Sequence, residues 1–304
     1  MVRKKLIRVA LRSAIALFWA ALIIGCLIVA SRFSFSTRPV ITILTWSDLI
    51  DPLYLRAFEE QYKVTVAIRY YASNEELIAK MRSTQGTAGD LIVPSDYAVA
   101  RLVAEGLLLP LDHAAVTEWK NIDPAFLDRS FDIGNRYSIP YMWDAVGIGY
   151  VDEAVSDEDL ARGWGMVFEP QAGKVVMVND PVEAIELAAA YREVLDEPLT
   201  PEVRTEILET LKRQRPFVEA YSNFRSDYAL ATRSVPVAVM TTTYAERAAR
   251  TFGHVRFFIP EQARFMNIEN FSLSAATKHT ELVYALINFL TKKESFAHHS
   301  DLYT

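Results

Sequence analysis

Acids, hydroxyls and aromatic side chains recur at a few separated places in this 304-residue chain. Trp46, Ser47 and Asp48 follow one run of β-branched residues, and Ser95, Asp96 and Tyr97 follow another. Trp143 and Asp144 end a third run, Asp180 and Glu183 a fourth, and Thr241 to Tyr244 a fifth. Glu269 and Asn270 stand just before Phe271 in a sixth. None of these places holds a lysine or an arginine. Carboxylates pair with ammonium groups, and aromatic faces add a cation–π attraction of roughly 0.5–2 kcal/mol each. A cleft built from such groups suits an organic cation. Each group also has a local use. Ser47, Asp48, Ser95, Asp96, Asp180 and Thr242 are good helix N-caps. Glu183, three residues after Asp180, could complete a cap, and Trp46 and Trp143 could be plain core residues. The candidates for ligand contact are Trp46, Ser47, Asp48, Ser95, Asp96, Trp143, Asp180, Glu183, Tyr244 and Asn270.

Catalytic patterns are weak by comparison. No glycine-rich phosphate loop is present. None of the five histidines sits at a strand end beside a serine or cysteine nucleophile. His298 and His299 read as an exposed helix-end pair rather than metal ligands. Neither an enzyme, a cofactor nor a metal site is expected.

The elements that must carry the candidates alternate. Strands are expected at 40–44, 63–71, 90–93, 137–141, 146–150, 174–178, 235–240, 255–259 and 271–273. Between them, helices are expected from residue 52, at 73–82, 97–105, 181–194, 244–251 and 281–293. Leu55, Phe58 and Tyr62 form one apolar helix face. Ser73 with Glu76 has capping-box spacing, and Gly106 ends its helix. This order predicts an α/β protein with largely parallel sheets covered by helices on both faces. In open sheets of this kind, ligands bind beyond the carboxyl ends of the strands, which is where the candidates lie.

Charge is distributed unevenly. Residues 1–40 contain seven basic side chains and no acid, leaving 25 basic and 38 acidic groups in the rest, a net of −13. So acidic a body argues against nucleic acid as a partner, because that needs a basic footprint. Five basic residues precede an uncharged apolar run at 14–30, the order of an export signal or an anchor whose N-terminus is cytoplasmic. Three fates stay open: lipidation at Cys26, in Ile23-Ile24-Gly25-Cys26; cleavage near Ala30; or an uncleaved anchor. All three put the body outside the cytoplasmic membrane, and the first and third tether it there through its N-terminus.

From about residue 41 to 304 the chain resembles the periplasmic polyamine-binding proteins of ABC importers, the spermidine/putrescine receptors. The likeness is carried, in order, by TWSD at 45–48, YASNEELIAKM at 71–81, DLIVPSDY at 90–97, EWKNIDPAFL at 118–127, IPYMW and GIGY within 139–150, FEPQAG at 168–173, VNDPVE at 178–183 and LINFL at 286–290. The resemblance implies a two-lobed type II periplasmic-binding fold. Lobe one would be 39–142 plus 268–297, lobe two 147–262, with a signal or anchor at 1–37 and a short tail at 298–304. Ligand would close the cleft, and the closed form would dock on an ABC permease. The family's tryptophan with serine or threonine matches Trp46 and Ser47, its cleft serine matches Ser95, and its amine-holding acids match Asp180 and Glu183. The chain departs from the family where Asn270 replaces an aspartate, with Glu269 beside it, and where no tryptophan stands near Thr241. Leu49 and Ile78 replace tyrosines, and relatives continue past Thr304. A receptor for another small cationic or polar solute, or a surface protein that binds nothing, are the other readings. Adjacent strand residues face opposite ways. If Asn270 faces the cleft, Glu269 does not, and lobe one must draw its charge from Asp48 or Asp96.

Overall fold

The structure, a computed structural model, describes residues 18–20, 22–24, 38–223 and 226–303. The chain divides into a unit at 1–39 and a compact body at 40–304. Cys26 lies outside the described residues. Among those residues, no helix is long and apolar enough to cross a membrane.

The body is built on a nine-stranded sheet. β1 (Val40–Trp46), β2 (Thr65–Tyr71) and β3 (Leu91–Ile92) run parallel. β4 (Ile139–Val151) is the longest strand. β5 (Val175–Met177), β6 (Val218–Tyr221) and β7 (Val237–Thr241) form a second parallel group. β8 (Val255–Phe258) pairs with β4, and β9 (Phe265–Leu273) returns along it. The order is β2-β1-β3-β9-β4-β7-β5-β6, so β9 and β4 join two halves that share no other strand.

Each half has its own core. Ile41, Ile43, Phe58, Leu91, Phe271 and Leu286 pack in one lobe, and Val146, Ile148, Trp164, Val175 and Val239 in the other. Apolar residues on both faces of the short parallel strands explain why these strands read as continuous hydrophobic runs. Gly147 and Gly149 on β4 are required by packing. A Cβ at Gly147 would lie 2.6 Å from the Phe258 carbonyl oxygen, and one at Gly149 would lie 2.5 Å from Met240 Sδ. At Gly147 the obstacle is the backbone of β8, so no side chain fits there while β8 stays paired, whereas at Gly149 the Met240 and Leu230 side chains would have to move.

Two expectations need correction. The strands expected at 137–141 and 146–150 are one. The ladder from Trp143, Asp144 and Ala145 to Ile268, Asn267 and Met266 of β9 holds the intervening residues extended. The other concerns His298 and His299, which lie on the helix Lys293–Tyr303. His299 is buried, and its Nε2 accepts from the Asp51 amide at 3.1 Å, while His298 Nε2 meets Asp51 Oδ2 at 2.8 Å. The pair is therefore an anchor for that helix, not a free surface feature. Helices Pro201–Gln214 and Ser226–Ala231 and strand β6 complete the second lobe without having been expected from the sequence.

Candidate functional site

A cavity of ≈ 1000 Å³ opens between the lobes at the ends of β1 and β7 and along the first half of β4. Trp46, Ser47 and Asp48 reach it from the end of β1, and Ser95 and Asp96 from the start of helix Asp96–Ala104. Trp143 comes from β4, Asp180 and Glu183 from the start of helix Pro181–Tyr191, and Tyr244 from helix Thr242–Thr251. Nine of the ten sequence candidates thus line one space, from both lobes. Neither tryptophan is a core residue. Trp143 is 52% exposed, with its ring 5.8 Å from that of Phe126, and Trp46 is half-buried.

Asn270 is the exception. It is fully buried and does not line the cavity. Its Nδ2 donates to the Ile268 carbonyl at 2.7 Å, and its Oδ1 has no hydrogen-bond partner among the described residues. The β9 alternation runs opposite to the one expected, and Glu269 enters the cleft. Glu269 Oε2 accepts from Trp46 Nε1 at 2.7 Å, and Oε1 accepts from Ser95 Oγ at 2.7 Å. The charge contributed by β9 is therefore that of Glu269, so Asp48 and Asp96 need not supply it alone.

Local sequence explains how the acids are held. Ser95 sits at the N-cap of its helix, yet its hydroxyl makes no cap bond and donates to Glu269. Asp180 does cap: Oδ1 accepts from the amides of Val182 at 3.0 Å and Glu183 at 3.1 Å, and Pro181 follows at the first helical position. That frees the Glu183 side chain for the cleft rather than for a capping bond.

Electrostatics sets two of these acids apart. Burial pushes Glu269 up to about 8, against the hydrogen bonds from Ser95 and Trp46, with the charges of Asp144 and Asp96 adding to the rise. Burial likewise pushes Glu183 up to about 8, with Asp180 and Glu186 adding to it and a hydrogen bond from Asn267 opposing. Among the described residues, neither carboxyl is paired with a cation. A bound cation is what would ionise them at neutral pH.

Sequence reasoning missed part of the lining. Arg129 and Arg264 border the cavity, so the absence of basic groups at the strand ends does not extend to the whole cleft. Arg129 comes from an irregular loop with no periodic signal. Even so, eight carboxylates face two arginines in the lining. Asp144 is partly committed, since its Oδ1 accepts from Thr242 Oγ1 and from the Thr243 amide at 3.1 Å each. Tyr97 lines the cavity and crosses it, donating to Asp180 Oδ2 at 2.7 Å. Its place directly after Asp96, in the first turn of a helix that starts at the cleft, was the available signal.

Comparison with known proteins gives a consistent pattern. The sequence profile described as bacterial extracellular solute-binding protein matches residues 54–304. The spermidine/putrescine-binding periplasmic protein of Escherichia coli K12 is 26% identical over 250 residues, 82% of this chain and 72% of that protein. The putrescine/cadaverine-binding protein of Pseudomonas aeruginosa is 28% identical over 262 residues, 82% of this chain and 73% of that protein. Among solved structures, a Listeria monocytogenes protein assigned to spermidine/putrescine ABC transport superposes with a TM-score of 0.81 at 28% identity, covering 86% of this chain and 81% of that one.

Proposed function

The chain belongs to the bacterial extracellular solute-binding protein family, and from that premise we propose that it is the polyamine receptor of an ABC importer. The observation that carries this reading is the pair Glu183 and Glu269. They are two acids in one cleft, Glu269 buried on a strand and Glu183 half-buried on a helix, and neither is paired with a cation among the described residues. A linear diamine or triamine has an ammonium at each end and a methylene chain between. The acids would take the ends, and Trp46, Trp143 and Tyr244 would cover the chain. Asp180, Asp48, Asp96 and Ser47 would lend field and hydrogen bonds around them, and Ser95 would aim Glu269. The excess of carboxylates over arginines favours cations entering the cleft.

The partners follow from the same reading. The closed receptor would dock on a permease in the cytoplasmic membrane, with the body held outside that membrane through its N-terminal segment. Titration calorimetry of the chain with putrescine, spermidine and spermine tests the ligand. Saturable binding of at least one amine, weakened by Glu183→Gln and by Glu269→Gln, is expected. No heat with any of the three rejects it. One observation favours a second ligand class: Arg129 and Arg264 at the cavity wall would suit a solute bearing a carboxylate besides its amine. An ω-amino acid in the same titration separates the two.

A further inference from the structure

Three acidic side chains from both lobes meet at the edge of the cleft. The Tyr97 hydroxyl lies 2.7 Å from Asp180 Oδ2 and 3.1 Å from Glu75 Oε1. Tyr97 and Glu75 belong to the first lobe, on helices Asp96–Ala104 and Asn74–Ser83, and Asp180 belongs to the second. The phenol has one proton, and the shorter contact assigns it to Asp180. Glu75 can approach the phenol oxygen and Asp180 without repulsion only if it brings a proton of its own. Beside them, Asn223 Nδ2 donates to the Ala72 carbonyl at 3.1 Å, another bond from lobe to lobe.

We propose that Glu75 and Tyr97 are positioning residues for Asp180, forming a clasp that holds the two lobes together while Glu75 retains a proton and loosens when that proton leaves. The charged surroundings all act in one direction. Asp96 on the Tyr97 helix, and Glu183 and Glu186 on the Asp180 helix, surround the clasp with further acids. Glu76 is paired with Lys80 at 2.6 Å, and Arg129 faces Asp96, so neither cation neutralises Glu75. Burial, then the charge of Asp180, hold the Glu75 carboxyl above its ordinary range, in agreement with the geometry. A ligand ammonium arriving near Asp180 would supply the positive charge that the proton supplies in its absence. The clasp rests on the reading of the cleft as a site that shuts on ligand, but its test needs no ligand, so the two fail separately.

The test is the lobe-to-lobe distance in the full chain, read by energy transfer between dyes on Lys63→Cys and Lys212→Cys in a Cys26→Ser background, without ligand. The distance should lengthen as pH rises from roughly 5 to roughly 9. Glu75→Gln, whose amide donates at every pH, should stay shut throughout and lose the transition. Tyr97→Phe should be open across the range. A wild-type distance that does not change with pH, or a Glu75→Gln variant with the wild-type profile, overturns the proposal. Calorimetric failure with every amine would reject the ligand reading and leave this result standing.

Discussion

Ser95 and Glu269 hold each other twice: their backbones form an isolated antiparallel bridge, and the Ser95 hydroxyl donates to Glu269 Oε1 at 2.7 Å. The bond ties the start of a first-lobe helix to the strand that joins the lobes, so the acid is aimed before any ligand arrives. Ser95→Ala should weaken amine binding by about 0.5–1.5 kcal/mol through the lost hydrogen bond. Glu269→Gln should cost about 1.5–3 kcal/mol, the scale of a bond to a charged group. Calorimetry at fixed salt checks both, and a larger loss in the serine variant than in the glutamate variant would contradict this order.

Amine binding should release protons. Burial pushes Glu183 and Glu269 up to about 8, so both are largely protonated at neutral pH without a cation beside them and must ionise around one. Affinity should rise between about pH 6 and about pH 8, by up to tenfold per pH unit for each proton released. Calorimetry in two buffers of different ionisation heat counts the protons. Folding responds with the opposite sign. The ordinary value is 4.5 and the folded one about 8, so these acids favour the fold below 4.5, and that contribution is lost as pH rises through 8.

Asn270→Asp should destabilise the protein rather than tighten binding. The position is fully buried and faces away from the cavity, so a carboxylate there would have no cation and no water. A cost of about 3–5 kcal/mol is expected, as for an uncompensated buried charge, unless the group stays protonated. Thermal unfolding measures it. An unchanged midpoint with tighter spermidine binding would show that Asn270 does reach the ligand.

Acid should release the C-terminal helix before the rest of the body. Burial lowers His299, which is neutral in the fold with its Nδ1 on the Ser295 carbonyl at 2.8 Å. Its stabilising contribution is present above 6.5 and lost as pH falls below it. For Asp51, burial alone would act upward, but hydrogen bonds from His298 and the Leu53 amide outweigh it and hold the acid low. Its contribution persists above 3.8 and is lost below that. Hydrogen-exchange protection at 293–303, taken relative to the intrinsic rate at each pH, should fall between about pH 7 and about pH 5, and His299→Ala should show the low protection already at pH 7.

The alternation of strands and helices was legible in the chain because strands such as β1, β3 and β5 are rich in apolar residues and several helices carry their own caps, as with Ser73 accepting from the Glu76 amide at 3.2 Å. The convergence of Trp46, Ser95, Asp180 and Tyr244 was legible too, since parallel strands place their carboxyl ends on one side of a sheet. Those properties depend on neighbours in sequence. The choice between Glu269 and Asn270 does not. Period-two alternation says that they oppose each other, but only the pairing of β9 with β3 and β4 decides which one meets the cleft. The same holds for Glu75, which reads as an ordinary first-turn acid until Tyr97 and Asp180 arrive from 22 and 105 positions away. It holds also for His299, whose neutral state follows from a backbone amide 248 residues distant. Spacing along the chain sets which groups are available, and tertiary pairing sets which of them share water, a cation or a proton.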